Sequence, residues 1–189
     1  MKQFLKSAFT EIIKLLFIYA FSGGLYLLIE TLYRGRTYLE MFYLAGFLGI
    51  LAMLANNFMS YNLDYIIQCL IMTIIGTLGE GTTGILFNSD FHIWDYCGLW
   101  GTFFCNQCNI MFVGVWFVLF FILIPVLDFV EWDIFDYMPD TPPYYMIFGH
   151  KISPFENHKR KYLTHILSEN LVSKEIKTIM GNGEKENKG

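Results

Sequence analysis

The chain has 189 residues, of which 54% are hydrophobic, 19% aromatic and 16% charged, with a formal net charge of −4. A soluble domain averages about 25% charged residues, so this composition argues against an ordinary soluble domain. The small net charge also gives no support for a nucleic-acid partner, which would need a clustered basic face.

The positions of the basic residues indicate which solvent surrounds the chain. After Arg36 the next Lys or Arg is Lys151, so the middle of the chain carries no basic residue. A charge near the centre of a membrane span costs about 2.5–3.5 kcal/mol on insertion scales. We therefore expect an all-α membrane protein in a lipid bilayer, with four transmembrane helices.

The first predicted span covers residues 12–32. Lys14 lies near its start, where a long side chain can extend to the membrane interface. Gly23 and Gly24 offer a small face for close helix contact, and Glu30 lies near the far end. The apolar run is long and has no small-residue cleavage site, so we interpret it as a retained span.

The second and third predicted spans cover residues 39–58 and 65–87. The second ends in Asn56 and Asn57. The third contains two polar residues, Gln68 and Glu80, and a glycine-rich stretch at 79–84, which is no phosphate-binding loop because no Gly-Lys-Ser/Thr follows it.

Residues 88–107, here called the aromatic segment, are too broken for a full span and too apolar for a free loop. They favour an interfacial or re-entrant segment with Trp and Tyr at the level of the lipid headgroups. The fourth predicted span, residues 110–127, has no charged residue and the length that a bilayer core near 30 Å requires. Pro125 is expected to kink its end, just before Asp128.

The composition shifts after residue 133. We predict a four-span transmembrane domain over residues 1–133, a cytoplasmic linker and amphipathic helix over 134–180, and a disordered tail over 181–189. Most Lys and Arg residues flank the outermost spans, which places both termini in the cytoplasm under the positive-inside rule. Arg34 and Arg36 oppose this orientation but are outnumbered.

The polar residues within the spans fall into two tiers when a helix rises about 1.5 Å per residue. The outer tier carries charges of both signs, and we expect it to form the functional site: Glu30, Arg34, Glu80, Trp94, Asp95 and Tyr96. The inner tier is dominated by amides: Asn56, Asn57 and Gln68, with Asp128. Such intramembrane polar groups serve function or interhelical hydrogen bonding.

Each charged residue of these tiers also has a simpler interpretation. Glu30 and Arg34 could form an ordinary surface pair four residues apart. Glu80 has no basic neighbour in sequence, so a distant partner, a bound ion or a retained proton are all open. Asp128 could lie at the interface beside Glu131 and Asp133.

Cysteine spacing and nucleophile patterns give no case for an enzyme, a metal or a cofactor. Cys105 and Cys108 have a CxxC spacing, but a zinc site would normally need a second pair. A disulfide on the outer side is an alternative, and the sequence does not decide whether Cys97, Cys105 and Cys108 are oxidised. No combination of nucleophile, base and orienting residue is recognisable.

Several of these residues, taken together, resemble the ABC-transporter type IV family of small bacterial membrane proteins. The resemblance covers residues 23–145, and its most specific part is Trp94-Asp95-Tyr96. Cys97 stands where the family has serine, and Asn106 stands where it has glycine before Gln107. The remaining matches are Gly23-Gly24-Leu25-Tyr26, Ile29-Glu30, Arg34-Gly35-Arg36, Asn56, Gln68, Glu80, Gly84, Gln107-Cys108, Trp116, Leu127-Asp128 and Pro143-Tyr144.

The resemblance implies a permease-like transport component that would need a separate ATPase subunit, or an ion-coupled small transporter. Because four spans are few for a complete transporter, a homo-oligomer or a partner is implied. The alternative is a non-transport membrane protein, such as an assembly, envelope or phage-associated factor, whose buried polar residues serve helix packing. The substrate, the direction of transport and the identity of any partner are not encoded in a recognisable pattern.

Overall fold

A computed structural model describes residues 2–60, 62–135 and 141–158 of the chain. The described part is mostly helical and has four helices. The first three are joined by short connections, and a longer connection, residues 88–109, precedes the fourth. The helices are α1 (Lys2–Arg34), α2 (Leu39–Phe58), α3 (Tyr65–Phe87) and α4 (Ile110–Asp133).

Three of these helices are long and apolar enough to cross a membrane: Phe9–Arg34, Tyr65–Phe87 and Ile110–Asp133. The apolar part of α2, Leu39–Ala55, is shorter. Many large apolar side chains of the helices face outward, among them Leu16 (64% exposed), Ile74 (61%) and Val118 (55%). Outward apolar side chains of this number suit a lipid environment better than water.

Polar side chains and a glycine fix where the helices begin and end. The carboxylate of Asp64 accepts a hydrogen bond from the Ile66 N–H (2.9 Å) at the start of α3. The Asn109 side chain does the same for the Met111 N–H (2.9 Å) at the start of α4. Both satisfy N–H groups that lack helical partners. After α1, Gly35 has a φ of +72°, the left-handed conformation that glycine adopts readily.

The first two helices pack closely and antiparallel through small residues. A Cβ atom added to Gly23 of α1 would lie 2.7 Å from the Phe42 ring of α2. One added to Gly49 of α2 would lie 2.1 Å from the Ser22 hydroxyl of α1. Neither glycine can carry a side chain without moving the neighbouring helix, which is the packing expected of small residues in membrane helices.

Helices α3 and α4 are also antiparallel neighbours, with Gly76 against Phe120 and Glu80 beside Trp116. The bundle therefore has two ends. The Glu30 end holds the last turn of α1, the start of α2, the last turns of α3 and the start of α4. The Lys14 end holds the first half of α1, the end of α2, the start of α3 and the end of α4.

Pro125 does not end α4, contrary to the predicted boundary at residue 127; the helix runs to Asp133. Proline has no N–H to donate to the carbonyl oxygen four residues earlier, that of Phe121. The Tyr65 hydroxyl of α3 donates to this oxygen instead (2.6 Å). A hydrogen bond from the neighbouring helix thus replaces the missing one.

Two short hairpins lie at opposite ends of the bundle. At the Glu30 end, β1 (Thr102–Phe103) of the aromatic segment pairs with β2 (Cys108–Asn109), which directly follows that segment. At the Lys14 end, β3 (Tyr145–Ile147) pairs with β4 (His150–Ile152). The sequence predicted neither hairpin, and the second occupies part of the stretch that it assigned to a linker.

The predicted bounds of α2 and α3 match the structure, whereas α1 begins before residue 12. The predicted amphipathic helix, which would end near residue 180, and the tail over 181–189 lie outside the described residues.

Candidate functional site

Glu80 lies on α3 with its side chain 3% exposed and both carboxylate oxygens engaged. Its Oε1 accepts a hydrogen bond from the Tyr96 hydroxyl (2.9 Å), and its Oε2 accepts one from the Trp116 indole N–H (3.0 Å). Both donors are neutral, so hydrogen bonds and no paired cation satisfy this acid among the described residues. Burial, followed by the nearby Glu80 carboxylate, raises the pKa of Tyr96 above its ordinary value, which keeps the hydroxyl protonated as a donor.

The glycines around Glu80 let aromatic side chains approach α3. A Cβ atom at Gly81 would lie 2.3 Å from the Phe104 ring, and one at Gly76 would lie 2.8 Å from the Phe120 ring. The Trp116 ring then stacks on Tyr26 of α1, with centroids 5.8 Å apart. Glu80 is thereby enclosed by aromatic rings from α1, α4 and the aromatic segment.

Glu30 and Arg34 form an ion pair that also fastens α1 to the aromatic segment. The Arg34 guanidinium donates to Glu30, and its Nη1 donates to the Ile93 carbonyl oxygen (3.0 Å). The Thr37 hydroxyl is a second donor to Glu30. Glu30 is 8% exposed, so the interpretation as an ordinary surface pair is incomplete.

Asn88 and Gln107 hold the two ends of the aromatic segment together. The Asn88 amide N–H donates to Gln107 Oε1 (3.0 Å), and the Gln107 amide donates back to the Asn88 carbonyl oxygen (3.0 Å). Asn88 also accepts from the Ile93 N–H (2.8 Å), and the Trp94 indole N–H donates to the Gln107 carbonyl oxygen (3.0 Å). These bonds position the loop that carries Tyr96.

Asn106 takes part in the tight turn between β1 and β2, where Phe104, Cys105 and Asn106 have φ values of +54°, +56° and +59°. Glycine occupies the left-handed region at no steric cost, and Asn tolerates it better than most residues. Asn106 is exposed, and its side chain also makes a hydrogen bond with the Cys97 thiol.

Asp95 is exposed at the rim, and its Oδ1 accepts the Cys97 backbone N–H (2.8 Å). That hydrogen bond lowers the pKa of the Asp95 carboxyl below its ordinary value. Asp95 in turn raises the pKa of the Cys97 thiol, first because its carboxylate accepts a hydrogen bond from the thiol and then because its negative charge disfavours the thiolate.

A cavity of about 480 Å³ lies between these groups at the Glu30 end, and it is called the Glu80 cavity below. All six residues of the predicted outer tier line it, together with Tyr26, Tyr33, Phe112 and six aliphatic or sulfur-containing side chains. The six residues of the predicted outer tier therefore lie around one cavity. The sequence analysis did not predict Tyr26 as a lining residue, because nothing in the sequence distinguishes its ring from the other aromatic rings of the spans.

Of the predicted inner tier, the structure describes the side chains of Gln68 and Asp128, which hydrogen-bond to different elements. Gln68 Nε2, in the first turn of α3, donates to the carbonyl oxygen of Leu63 (3.0 Å), which lies in the connection before that helix. Asp128 is fully buried and accepts a hydrogen bond from the Tyr145 hydroxyl of β3 (2.7 Å), so it fastens the hairpin to α4. The Asn56 and Asn57 side chains lie outside the described part of the structure.

A buried ion pair at the Lys14 end was not predicted. Lys14 Nζ lies 3.0 Å from Glu131 Oε1 of α4 and 3.0 Å from Glu11, and its side chain is 3% exposed. The sequence suggested that this side chain extends away from the bundle, whereas the structure buries it against Glu131. Residues so far apart in sequence give no signal of pairing except that each is a charge within an apolar run.

The four cysteines are all free: Cys97 and Cys105 are exposed, whereas Cys69 and Cys108 are buried. Burial, followed by the Glu80 charge, raises the pKa of the Cys108 thiol to about 12. Within the described ranges no group of three or more His, Cys, Asp and Glu side chains could hold a metal ion. No protein-family model, curated protein or solved structure matches the chain.

Proposed function

We propose that this chain is a multi-pass protein of the bacterial cell membrane and a permease-like component of a transport system, with its substrate bound in the Glu80 cavity. The observation that carries the proposal is the buried carboxylate of Glu80 at the edge of an aromatic-lined cavity. An intramembrane acid that exchanges a proton or cation can couple binding to a change of conformation.

The proposal includes α2 as a fourth span. Its 20 residues extend about 30 Å, the thickness of a typical bilayer core. It packs antiparallel to α1 and so reaches from one end of the bundle to the other. Four spans place both termini on one side, which the terminal lysines make cytoplasmic, and the Glu30 end then faces outward.

Native cysteines offer a test of this topology. In intact cells a membrane-impermeant maleimide should label the wild-type protein at Cys97 and Cys105, which are exposed at the Glu30 end. In a Cys97→Ser/Cys105→Ser background, Lys151→Cys on β4 should be labelled only after the cells are permeabilised. Labelling of both sites from the same side would contradict the four-span topology.

Membership of the ABC-transporter type IV family is part of this proposal and rests on the sequence resemblance centred on Trp94-Asp95-Tyr96. It would imply a separate ATPase subunit, since the chain has no phosphate-binding loop of its own. A homo-oligomer would be the other way to complete a transporter of this size.

The transport role is tested by measuring the uptake and export of small molecules in gene-deletion cells. These cells are complemented with the wild-type protein, with Glu80→Gln or with Glu40→Gln. Glu40 lies at the same end of the bundle but does not line the cavity. Glu80→Gln should reproduce the uptake or export profile of the gene deletion, while Glu40→Gln should match wild type. Affinity purification would then identify an ATPase bound to the wild-type chain. Full complementation by Glu80→Gln would overturn the proposal.

The alternative is a non-transport membrane protein in which Glu80 serves packing, and one observation favours it. Both oxygens of Glu80 already accept hydrogen bonds from Tyr96 and Trp116. Gln could keep these contacts if the Tyr96 hydroxyl rotated to accept from the new amide. Under this alternative Glu80→Gln is tolerated in cells and in thermal unfolding alike.

A further inference from the structure

A second cavity of about 210 Å³ adjoins the first and is called the Ser22 cavity. The two share Tyr26 and Ile29 of α1 and Leu119 of α4. All residues around the Ser22 cavity are apolar or aromatic except Ser22, whose hydroxyl has no hydrogen-bond partner. The two cavities together form a groove between α1 and α4 with one polar half and one apolar half.

The Glu80 cavity has more negative than positive groups. Three carboxylates line it, those of Glu30, Glu80 and Asp95, against the one guanidinium of Arg34. Arg34 is already paired with Glu30. Of the described residues that line the cavity, none is a lysine and no other is an arginine. A ligand group placed near Glu80 would therefore be favoured if it were positive.

Aromatic rings add to this preference. Tyr26, Trp94, Tyr96 and Phe112 line the same cavity as Glu80. The faces of such rings carry negative potential and attract cations, most strongly where water is excluded. A carboxylate surrounded by several rings is a typical arrangement for recognising an organic ammonium group.

The groove is also open toward the surrounding lipid. Ile29 of α1 is 40% exposed, and Ile122 of α4 is 59% exposed. Amphiphilic cations partition into bilayers with the charge near the headgroups and the apolar part among the acyl chains. A molecule in that orientation would present its head to the Glu80 cavity and its tail to the Ser22 cavity.

We propose that the two cavities bind one lipophilic organic cation, with its charged head beside Glu80 and its apolar body in the Ser22 cavity. This inference rests on the proposed function and names the substrate class of the same site. The occupant enters between α1 and α4 from the bilayer.

The test measures binding of decyltrimethylammonium to the full chain in nanodiscs of neutral phosphatidylcholine, by equilibrium dialysis against empty nanodiscs. Decanoate and decanol serve as anionic and neutral ligands with the same chain length. We expect saturable binding of about one cation per chain and no saturable binding of decanoate. Glu80→Gln should weaken binding about tenfold, because it removes the charge at constant shape, whereas Glu40→Gln should not change it.

A second variant tests the apolar half. Ala45 lines the Ser22 cavity, so Ala45→Leu should fill part of it and weaken binding of the decyl cation by severalfold. Ala20→Leu, on an exposed position of α1, is the matched control and should bind as wild type does. Thermal unfolding of each variant shows whether it is folded before binding is compared.

Three results would overturn the inference: no saturable binding of the cation by the folded wild-type chain, equal binding of decanoate, or unchanged binding in Glu80→Gln. If one of these is found while Glu80→Gln still fails to complement in cells, only the substrate class is wrong and the transport role stands. If the cation binds but Glu80→Gln complements fully, the site exists without a role in transport.

Discussion

The Tyr65 hydroxyl of α3 donates a hydrogen bond to the Phe121 carbonyl oxygen of α4, across 2.6 Å. Phe121 is the residue whose helical donor Pro125 cannot supply. The Tyr65 ring also packs on the Phe121 ring with centroids 5.2 Å apart, so ring contact and hydrogen bond can be separated by removing the hydroxyl alone.

We expect Tyr65→Phe to lower the free energy of unfolding by about 1–2 kcal/mol, because it leaves a carbonyl group in an apolar environment without a partner. In a Pro125→Ala background the alanine N–H can donate to Phe121, so the same change should cost much less. Thermal unfolding in detergent micelles of the two single variants and the double variant measures this coupling.

Tyr43→Phe is the matched control, since Tyr43 is 57% exposed on α2. An equal effect of Tyr65→Phe in the wild-type and Pro125→Ala backgrounds would show that the hydroxyl does not compensate for the proline.

Gly84 provides a prediction about the loop that carries Tyr96. A Cβ atom there would lie 2.4 Å from Gln107 Oε1 and 2.7 Å from Gln107 Cβ. Because Gln107 is held by Asn88, it cannot move without breaking buried hydrogen bonds. We expect Gly84→Ala to destabilise the protein by about 1–3 kcal/mol in the same unfolding measurement.

Gly114→Ala on α4 is the control for Gly84→Ala, because nothing lies within 4 Å of its added Cβ atom. It should be neutral or stabilising by about 0.5–1 kcal/mol, as alanine is the better helix former. If both variants unfold at the same temperature, the close packing of α3 against Gln107 is not important for stability.

Local sequence patterns predicted the helices well where their ends coincide with polar residues. The bounds of α3 match because its apolar run is closed by polar residues on both sides, Asp64 before it and Asn88 after it. The end of α4 was placed too early because Pro125 and Asp128 both suggest a helix end. The structure buries Asp128 against Tyr145, which is distant in sequence.

The candidate site was predictable in part for a related reason. Equal rise per residue places Glu30 and Glu80 at similar depths, so their tier follows from spacing alone. The donors to Glu80 do not follow, because Trp116 and Tyr96 reach it from elements whose relative rotation is set by packing. The Lys14–Glu131 pair was missed for the same reason: its two residues belong to the first and last helices.

That ion pair gives the next prediction. Lys14 and Glu131 each have a side chain 3% exposed, and their charged atoms lie 3.0 Å apart. Removing one partner leaves a buried charge, so Lys14→Met should cost about 3–5 kcal/mol. Lys14→Met combined with Glu131→Leu should recover most of that loss, because the one carboxylate left without its lysine, that of Glu11, is 43% exposed and can be solvated.

Thermal unfolding of the single and double variants in micelles checks this, and Arg36→Met, which removes a cation from an exposed position, serves as the control. A double variant no more stable than Lys14→Met alone would contradict the buried pairing.

The reactivity of Cys97 tests the geometry at the rim of the Glu80 cavity. The Asp95 carboxylate raises the pKa of the Cys97 thiol, and only the thiolate reacts quickly with maleimides. Asp95→Asn keeps an acceptor for the Cys97 N–H but removes the negative charge. We therefore expect the pKa of Cys97 to fall and its alkylation at neutral pH to become faster, with the pH–rate profile shifted toward lower pH.

Stopped-flow labelling in a Cys105→Ser background measures this, with Asp90→Asn as the control because Asp90 pairs with His92 instead. Unchanged rates in Asp95→Asn would mean that this carboxylate does not face the thiol. Asp95 would then not occupy the position described for it at the rim of the cavity.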